Sequence, residues 1–181
     1  MNGTLTIRDA TLDDAAVIAE IYNESILAGD STMVIEPRTA ADIRHHIEEF
    51  TGREGYLLLE REGYVVGWGV IKGYGEGRVY RYCCETSVFL RRAEVGKGYG
   101  SRLKRAVIDR CRAYGYHHLV ARIWASNTAS IAYNRNFGYE VVGIQKKIGY
   151  INGQWRDVAL MQLVLDDVPP RVPVSLPEGE L

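Results

Sequence analysis

The chain has 181 residues, 46% hydrophobic and 25% charged, which is enough length and apolar content for one globular domain with its own core. A formal net charge of -1 supplies no basic face to neutralise a duplex's phosphates, so nucleic-acid binding is not expected. The three cysteines Cys83, Cys84 and Cys111 have neither CxxC nor metal-ligand spacing, and no basic n-region or long apolar segment follows Met1, so a reduced cytoplasmic setting without export or membrane insertion is expected.

The run from Thr4 to Arg8 alternates as a strand. Thr11 followed by Asp14 predicts a capped helix with Ala15, Ile18, Ala19, Tyr22 and Ile26 on one face. Thr39 and Asp42 repeat that signal ahead of Ile43, Ile47 and Phe50. Tyr56 to Glu60 and Tyr64 to Ile71 read as strands around an Arg61-Glu62-Gly63 turn, so antiparallel pairing follows. Val79 to Leu90 is a longer β-rich run that delivers the chain to a glycine-rich segment. Beyond it, Tyr99, Leu103, Ala106, Val107, Cys111 and Tyr114 share one helix face. His118 to Ile123 reads as a strand, Asn127 caps a short helix that ends before Gly138, and strands are expected over Tyr139 to Ile148 and Asp157 to Leu165. Four of the five prolines fall between Val168 and Leu181, so the expected organisation is one domain over residues 1–167 and a Pro-rich tail over 168–181.

The segment Val95-Gly96-Lys97-Gly98-Tyr99-Gly100-Ser101 carries the most chemical information. Closely spaced glycines let backbone N–H groups approach an anion, and a following helix adds its unpaired N–H groups and positive dipole end. A Walker A loop is excluded, because Lys97 is followed by Gly98 rather than by a hydroxyl residue for Mg²⁺. A dinucleotide fingerprint fits poorly, because the spacing is Gly-x-Gly-x-Gly and antiparallel-looking strands precede it.

The segment resembles the cofactor loop of the GNAT superfamily of N-acetyltransferases, Arg/Gln-x-x-Gly-x-Gly/Ala, in the register Val95, Gly98, Gly100. Val95 departs from the usual Arg or Gln, which leaves the backbone amides to do the binding. Glu85-Thr86-Ser87-Val88-Phe89-Leu90 is similar to the Glu-Ser-Thr-Val-Tyr-Val run of the phosphinothricin acetyltransferase-like branch. Asn127 through Ser130 to Phe137-Gly138-Tyr139 looks like the superfamily's second cofactor segment. Gly149-Tyr150 through Gly153 to Trp155-Arg156-Asp157-Val158 matches the branch's ending in order and spacing. The resemblance covers about residues 4–165 and implies a mixed α/β (α+β) fold: a central, mostly antiparallel mixed sheet of about seven strands with about four helices, splayed at the acyl-CoA site.

Transfer of an acetyl group from a thioester to an amine needs a neutral amine, a stabilised oxyanion and a departing thiolate. An α-ammonium titrates at about 8 and a lysine at about 10.4, above the thiol's roughly 8.5, so removing the amine's proton is the main requirement. By resemblance Glu85 is the catalytic candidate, acting as base directly or through water, or as an anchor for the substrate ammonium. The resemblance assigns the acetyl-CoA co-substrate to Val88, Phe89 and Leu90, pairing with the pantetheine arm, to Val95, Gly96, Lys97, Gly98, Tyr99, Gly100 and Ser101 around the pyrophosphate, and to Asn127, Ser130 and Asn134. Asn134 stands where a Tyr or His is usual and cannot supply a proton, while its neighbour Tyr133 fits core and function equally. Acceptor contacts are expected from Arg78, Tyr80, Thr86, Ser87, Trp155 and Asp157. Arg78 is displaced by one residue from the branch's arginine, a shift that turns a strand residue to the other face unless a bulge intervenes.

Cys83 and Cys84 read as buried small residues, and the pairs His45-His46 and His117-His118 as solvated faces; no metal site is expected. The resemblance therefore implies an acetyl-CoA-dependent N-acetyltransferase making a direct transfer to a small amino-acid-like amine of the phosphinothricin, methionine sulfoximine or sulfone type. The alternatives are a protein or peptide N-acetyltransferase on the same fold and a non-catalytic acyl-CoA sensor. A homodimer is expected by the same resemblance.

Overall fold

The structure, a computed structural model, describes residues 4–170. Its elements run β1 (Leu5–Asp9), α1 (Ala15–Ala28), α2 (Ala40–Glu48), β2 (Gly55–Arg61), β3 (Tyr64–Gly73), β4 (Cys83–Leu90), α3 (Tyr99–Tyr114), β5 (His118–Trp124), α4 (Thr128–Arg135), β6 (Glu140–Ile151) and β7 (Gln154–Val164). Short 3-10 turns at Leu12–Asp14, Arg78–Tyr80 and Arg92–Glu94 connect them. The strands form one seven-stranded sheet in the order β1-β2-β3-β4-β5-β7-β6. Every neighbouring pair is antiparallel except β4 and β5.

Both predicted caps form. The Thr11 backbone N–H donates to Asp14 at 2.8 Å, and the Thr39 N–H donates to Asp42 at 2.7 Å while the Thr39 hydroxyl accepts from the Asp42 N–H at 3.1 Å. Each carboxylate satisfies donors left free at a helix start. Asp14 is also clamped by Arg8 of β1 at 2.8 Å, so the first cap is tied to the sheet. The guanidinium holds this carboxyl down at about 2.

Helices cover both faces of the sheet. On one, Ile18 and Ile21 of α1 and Ile43 of α2 pack with Leu58, Trp68 and Val70. On the other, Leu103, Val107 and Cys111 of α3 pack with Leu57, Leu59, Val66 and Met161. Strand alternation in β2 and β3 sends successive apolar residues to the two cores, so Tyr56 to Leu59 and Val65 to Ile71 run without a charged residue.

The structure departs from the sequence reading at three places. Val79 to Leu90 is not one strand: Gly75 and Gly77 adopt positive φ, Arg78–Tyr80 turns as a 3-10 helix, and β4 starts only at Cys83. The last two strands extend to a shared hairpin at Asn152-Gly153, longer than alternation alone indicated, because bulges at Val141/Gly143 and Gln145/Gly149 break the pattern without breaking the pairing. Val168, the first residue assigned to the tail, is 7% exposed and packs in the α3-side core, and its carbonyl lies 3.0 Å from His117 Nδ1. Pro169 and Pro170 are exposed, and residues 171–181 of the proposed tail lie outside the described residues.

Candidate active site

The site arises from a strand pairing that stops. β4 and β5 are paired only over Cys83, Cys84 and Glu85 with His118, Leu119 and Val120. Beyond that point β4 stays paired with β3 as far as Leu90, and β5 stays with β7 as far as Trp124. The two strands therefore diverge, and the backbone of β4 beyond Glu85 loses its partner on one side.

A cleft of about 990 Å³ opens at this divergence, lined by Val88, Phe89 and Leu90, by Val95, Gly96, Gly98, Gly100 and Ser101, and by Asn127, Ser130 and Tyr133. Gly96 and Gly98 have φ of 84° and 82°, a conformation that costs a residue with a Cβ, and Gly98 caps the 16-residue helix α3. A Cβ at either would meet no atom within 4 Å, so their backbone faces open space. The amide wall, the helix dipole and the strand edge match what a pyrophosphate and an amide-bearing arm require, so the cleft fits an acyl-CoA.

Several flanking side chains hold the cleft's walls. The Asn127 side chain caps α4 by accepting from the Ser130 N–H at 3.0 Å, and its amide donates to the Asp30 carbonyl at 3.1 Å. The Tyr133 hydroxyl donates to the Gly100 carbonyl at 2.7 Å, joining α4 to the first turn of α3. Asn134 is buried and donates to the Ser130 carbonyl at 2.9 Å, leaving its Oδ1 without a protein partner. Lys97 reaches Glu94 at 3.1 Å, Arg61 donates to the Tyr99 hydroxyl at 3.1 Å, and Val95 is exposed.

On the α1–α2 face lies a second cavity of about 390 Å³, with Tyr22, Tyr56, Trp68 and Phe89 as aromatic walls and Arg38, His46, Lys72 and Ser87 among its polar groups. Phe89 lines both cavities. Glu85 sits on the strand between them, its side chain 13% exposed. Arg122 of β5 donates to both its oxygens, at 3.0 and 2.9 Å, and Lys72, its register partner on β3, lies at 3.5 Å. This bidentate clamp fixes the carboxylate in the plane of the guanidinium.

The other acceptor candidates separate. Ser87 lines the smaller cavity. Thr86 turns into the α3-side core, bonded to Tyr139 at 3.0 Å. Arg78 and Tyr80 are exposed on the 3-10 turn, so the strand-face problem raised by Arg78's offset does not arise there. Trp155 is 61% exposed and packs against Tyr150, and Asp157 binds Lys146 and the Lys147 N–H, both at 2.8 Å, across the second β6 bulge. Neither of the last two lines a cavity described above.

Sequence reasoning missed Arg122, Lys72, Arg38 and His46. His45 is solvated as expected, but His46 Nδ1 lies 2.8 Å from the Tyr56 hydroxyl and burial moves its pKa down. The signal that separates the two was available: His46 falls on the helix face of Ile43, Ile47 and Phe50. Cys84 and Cys111 are buried and Cys83 is half-buried; burial pushes the Cys83 thiol up to about 11 and the Cys84 thiol upward too, so neither of these two presents a thiolate at neutral pH.

A strand pair that parts beside a glycine-lined helix start defines the class of an acyl-group transferase with a phosphate-bearing donor. Comparison makes the class specific. Residues 7–160 match the family model described as an acetyltransferase (GNAT) domain. The chain is 36% identical over 169 residues, 89% of its length and 95% of the relative's, to an L-methionine sulfoximine/L-methionine sulfone acetyltransferase of Pseudomonas paraeruginosa. It is 29% identical to a phosphinothricin N-acetyltransferase of Alcaligenes faecalis, over 89% of this chain and 83% of that one. A solved phosphinothricin acetyltransferase from Sinorhizobium meliloti in complex with acetyl-CoA superposes with a TM-score of 0.85 at 33% identity, covering 96% and 94% of the two chains. The chain belongs to the GNAT acetyltransferase family and is an N-acetyltransferase.

Proposed function

We propose that this enzyme transfers acetyl from acetyl-CoA directly to the amine of a small amino-acid-like acceptor, of the phosphinothricin, methionine sulfoximine or methionine sulfone type. The donor occupies the larger cleft. The backbone of Val88, Phe89 and Leu90 receives its amide-bearing arm, and the segment Val95 to Ser101 its phosphates, with Asn127, Ser130 and Asn134 on the opposite wall.

The observation that carries the acceptor class is the charge balance on the other face of β4. Glu85 stands beside two cations, Arg122 and Lys72, and the smaller cavity's lining adds Arg38 together with the carboxylates Asp42, bonded to Thr39, and Glu49, paired with His45, so both signs of charge are present there. An acceptor with both an ammonium and a carboxylate answers both signs: Glu85 orients the ammonium, and Lys72 or Arg38 takes the carboxylate. Because Arg122 occupies both oxygens of Glu85, its role is to hold the amine rather than to remove its proton. Ser87 and, from the adjoining turn, Arg78 and Tyr80 complete the acceptor side; Thr86 and Asp157 act by supporting it, and Trp155 by its place on the β6–β7 hairpin.

The test is acetyl-CoA consumption against L-methionine sulfone, phosphinothricin, free amino acids and peptides with a free N-terminal amine. Sulfone- or phosphinate-bearing amino acids are expected to turn over fastest. Turnover confined to peptides would remove the proposed acceptor class.

The same reading makes the protein a cytoplasmic homodimer with one acetyltransferase domain, which Val168 joins by packing in the α3-side core. Three free cysteines are in keeping with a reducing compartment, and among the described residues no helix is long and apolar enough to cross a membrane. The edge hairpin leaves Val142, Ile144, Ile148, Tyr150 and Trp155 exposed, an apolar surface of the kind that a second copy covers. I148E is expected to convert the protein from dimer to monomer in sedimentation velocity. A wild-type monomer would overturn the homodimer, and a variant that stays dimeric would move the interface elsewhere.

A further inference from the structure

Lys104 stands apart among the charged residues. It lies on α3 among Leu103, Val107 and Ile108, is 2% exposed, and has no carboxylate paired with it among the described residues. Its ammonium donates to the Thr86 hydroxyl at 3.4 Å, the long end for such a bond, and lies 4.2 Å from the centre of the Tyr139 ring. Thr86 and Tyr139, each also 2% exposed, are bonded to one another at 3.0 Å.

The position of this cluster gives it meaning. Thr86 is the first β4 residue beyond the last β4–β5 pair, Tyr139 links α4 to β6, and α3 begins at the glycine segment. A residue of the strand whose later residues line the cleft, one that follows α4 on the cleft's other side and one of the helix that starts at the glycine segment therefore meet in the α3-side core. Packing does not call for a lysine here, since methionine would fill similar space without the cost of desolvating a charge.

We infer that Lys104 is a positioning residue for acetyl transfer: its buried ammonium, held by Thr86 and the Tyr139 ring, fastens β4, α3 and the α4–β6 connection where β4 and β5 part. The inference rests on the acetyltransferase reading of the cleft. The other titratable groups of this core are the Cys84 thiol of β4, the Cys111 thiol of α3, Tyr139, Tyr133 of α4 and Tyr116 beyond α3. Burial pushes the ionisation of Cys84, Tyr116, Tyr133 and Tyr139 upward, so these stay neutral near pH 8. Burial draws the Lys104 ammonium down to about 8. The fastener is therefore charged at neutral pH and released in mild alkali.

Lys104→Met tests this with two readouts. In the wild type, kcat/KM for the amine should rise with pH as the acceptor loses its proton and then fall through an inflection near 8; the variant should keep the rise and lose the fall. Denaturant unfolding needs no donor. Below pH 8 the lysine is protonated in both the folded and the unfolded wild type, and the folded state bears the full cost of the buried charge, so the variant should be the more stable protein. Between about 8 and the ordinary 10.5 the unfolded wild type binds more protons than the folded one, so the wild type gains stability and the variant's lead shrinks. A lead that is flat across that range, or an alkaline fall that persists in the variant, would overturn the role of Lys104. Should the variant not fold, Thr86→Val serves: removing the oxygen should move the alkaline fall to lower pH, and an unmoved fall overturns the proposal. Wild-type protein that acetylates no amine at any pH, while the stability lead still slopes, would instead remove the acetyltransferase reading of the cleft.

Discussion

Glu85→Gln is expected to raise KM for the acceptor amine by about 10- to 100-fold, the worth of one charge-assisted hydrogen bond, while kcat changes less and acetyl-CoA affinity stays the same. Glutamine keeps the shape and one acceptor oxygen for Arg122 but loses the charge that orients an ammonium. Arg122 and Lys72 have side chains 45% and 38% exposed, so water can solvate them once the carboxylate is gone, and unfolding should shift by no more than about 1 kcal/mol. Steady-state kinetics with the amine varied at saturating acetyl-CoA separate the alternatives. A fall in kcat at constant KM would make Glu85 the proton acceptor instead.

Gly67→Ala should destabilise the protein by about 1–3 kcal/mol and weaken acetyl-CoA binding at the same time. Gly67 of β3 faces Leu90, the last residue of β4. A Cβ there would come within 2.6 Å of the Phe89 carbonyl oxygen and closer still to the Leu90 Cδ2 methyl. The methyl can swing aside, but the carbonyl belongs to the backbone and moves only if the end of β4 moves. That end forms one wall of the donor cleft, so thermal unfolding and isothermal titration with acetyl-CoA should respond together. A variant that loses stability but binds acetyl-CoA like the wild type would show that β4 tolerates displacement without disturbing the cleft.

The fold was legible where a local rule was enough. Thr11/Asp14 and Thr39/Asp42 state their helix starts, Asn127 states a third, and the glycine segment shows both an exposed amide wall and the helix that follows. Val79 and Tyr80 read as part of a β-rich run because β-branched and aromatic neighbours outweigh two glycines whose turn depends on positive φ. The partners of Glu85 were illegible for a different reason. Arg122 reaches it only because β5 lies parallel to β4, a non-local pairing that no window of sequence contains. Lys104 sits at helical spacing beside Leu103 and Val107, yet a lysine reads as solvent-facing; its burial follows from Thr86 and Tyr139, remote in sequence, that converge on it.

The two cores on opposite faces of the sheet divide the enzyme's evolutionary freedom. Residues that line the smaller cavity, such as Arg38, His46 and Lys72, belong to the α1–α2 side, whereas the larger cleft is framed by α3, α4, the open edge of β4 and, at one end, Ser25, Ala28 and Asp30 at the close of α1. Arg38, His46 and Lys72 line the smaller cavity and not the larger cleft, so exchanging them leaves the cleft's own lining in place. On the proposed assignment of acceptor and donor to the two cavities, acceptor preference can drift while the acetyl donor stays fixed, with Phe89, common to both cavities, as the position where the two specificities constrain each other.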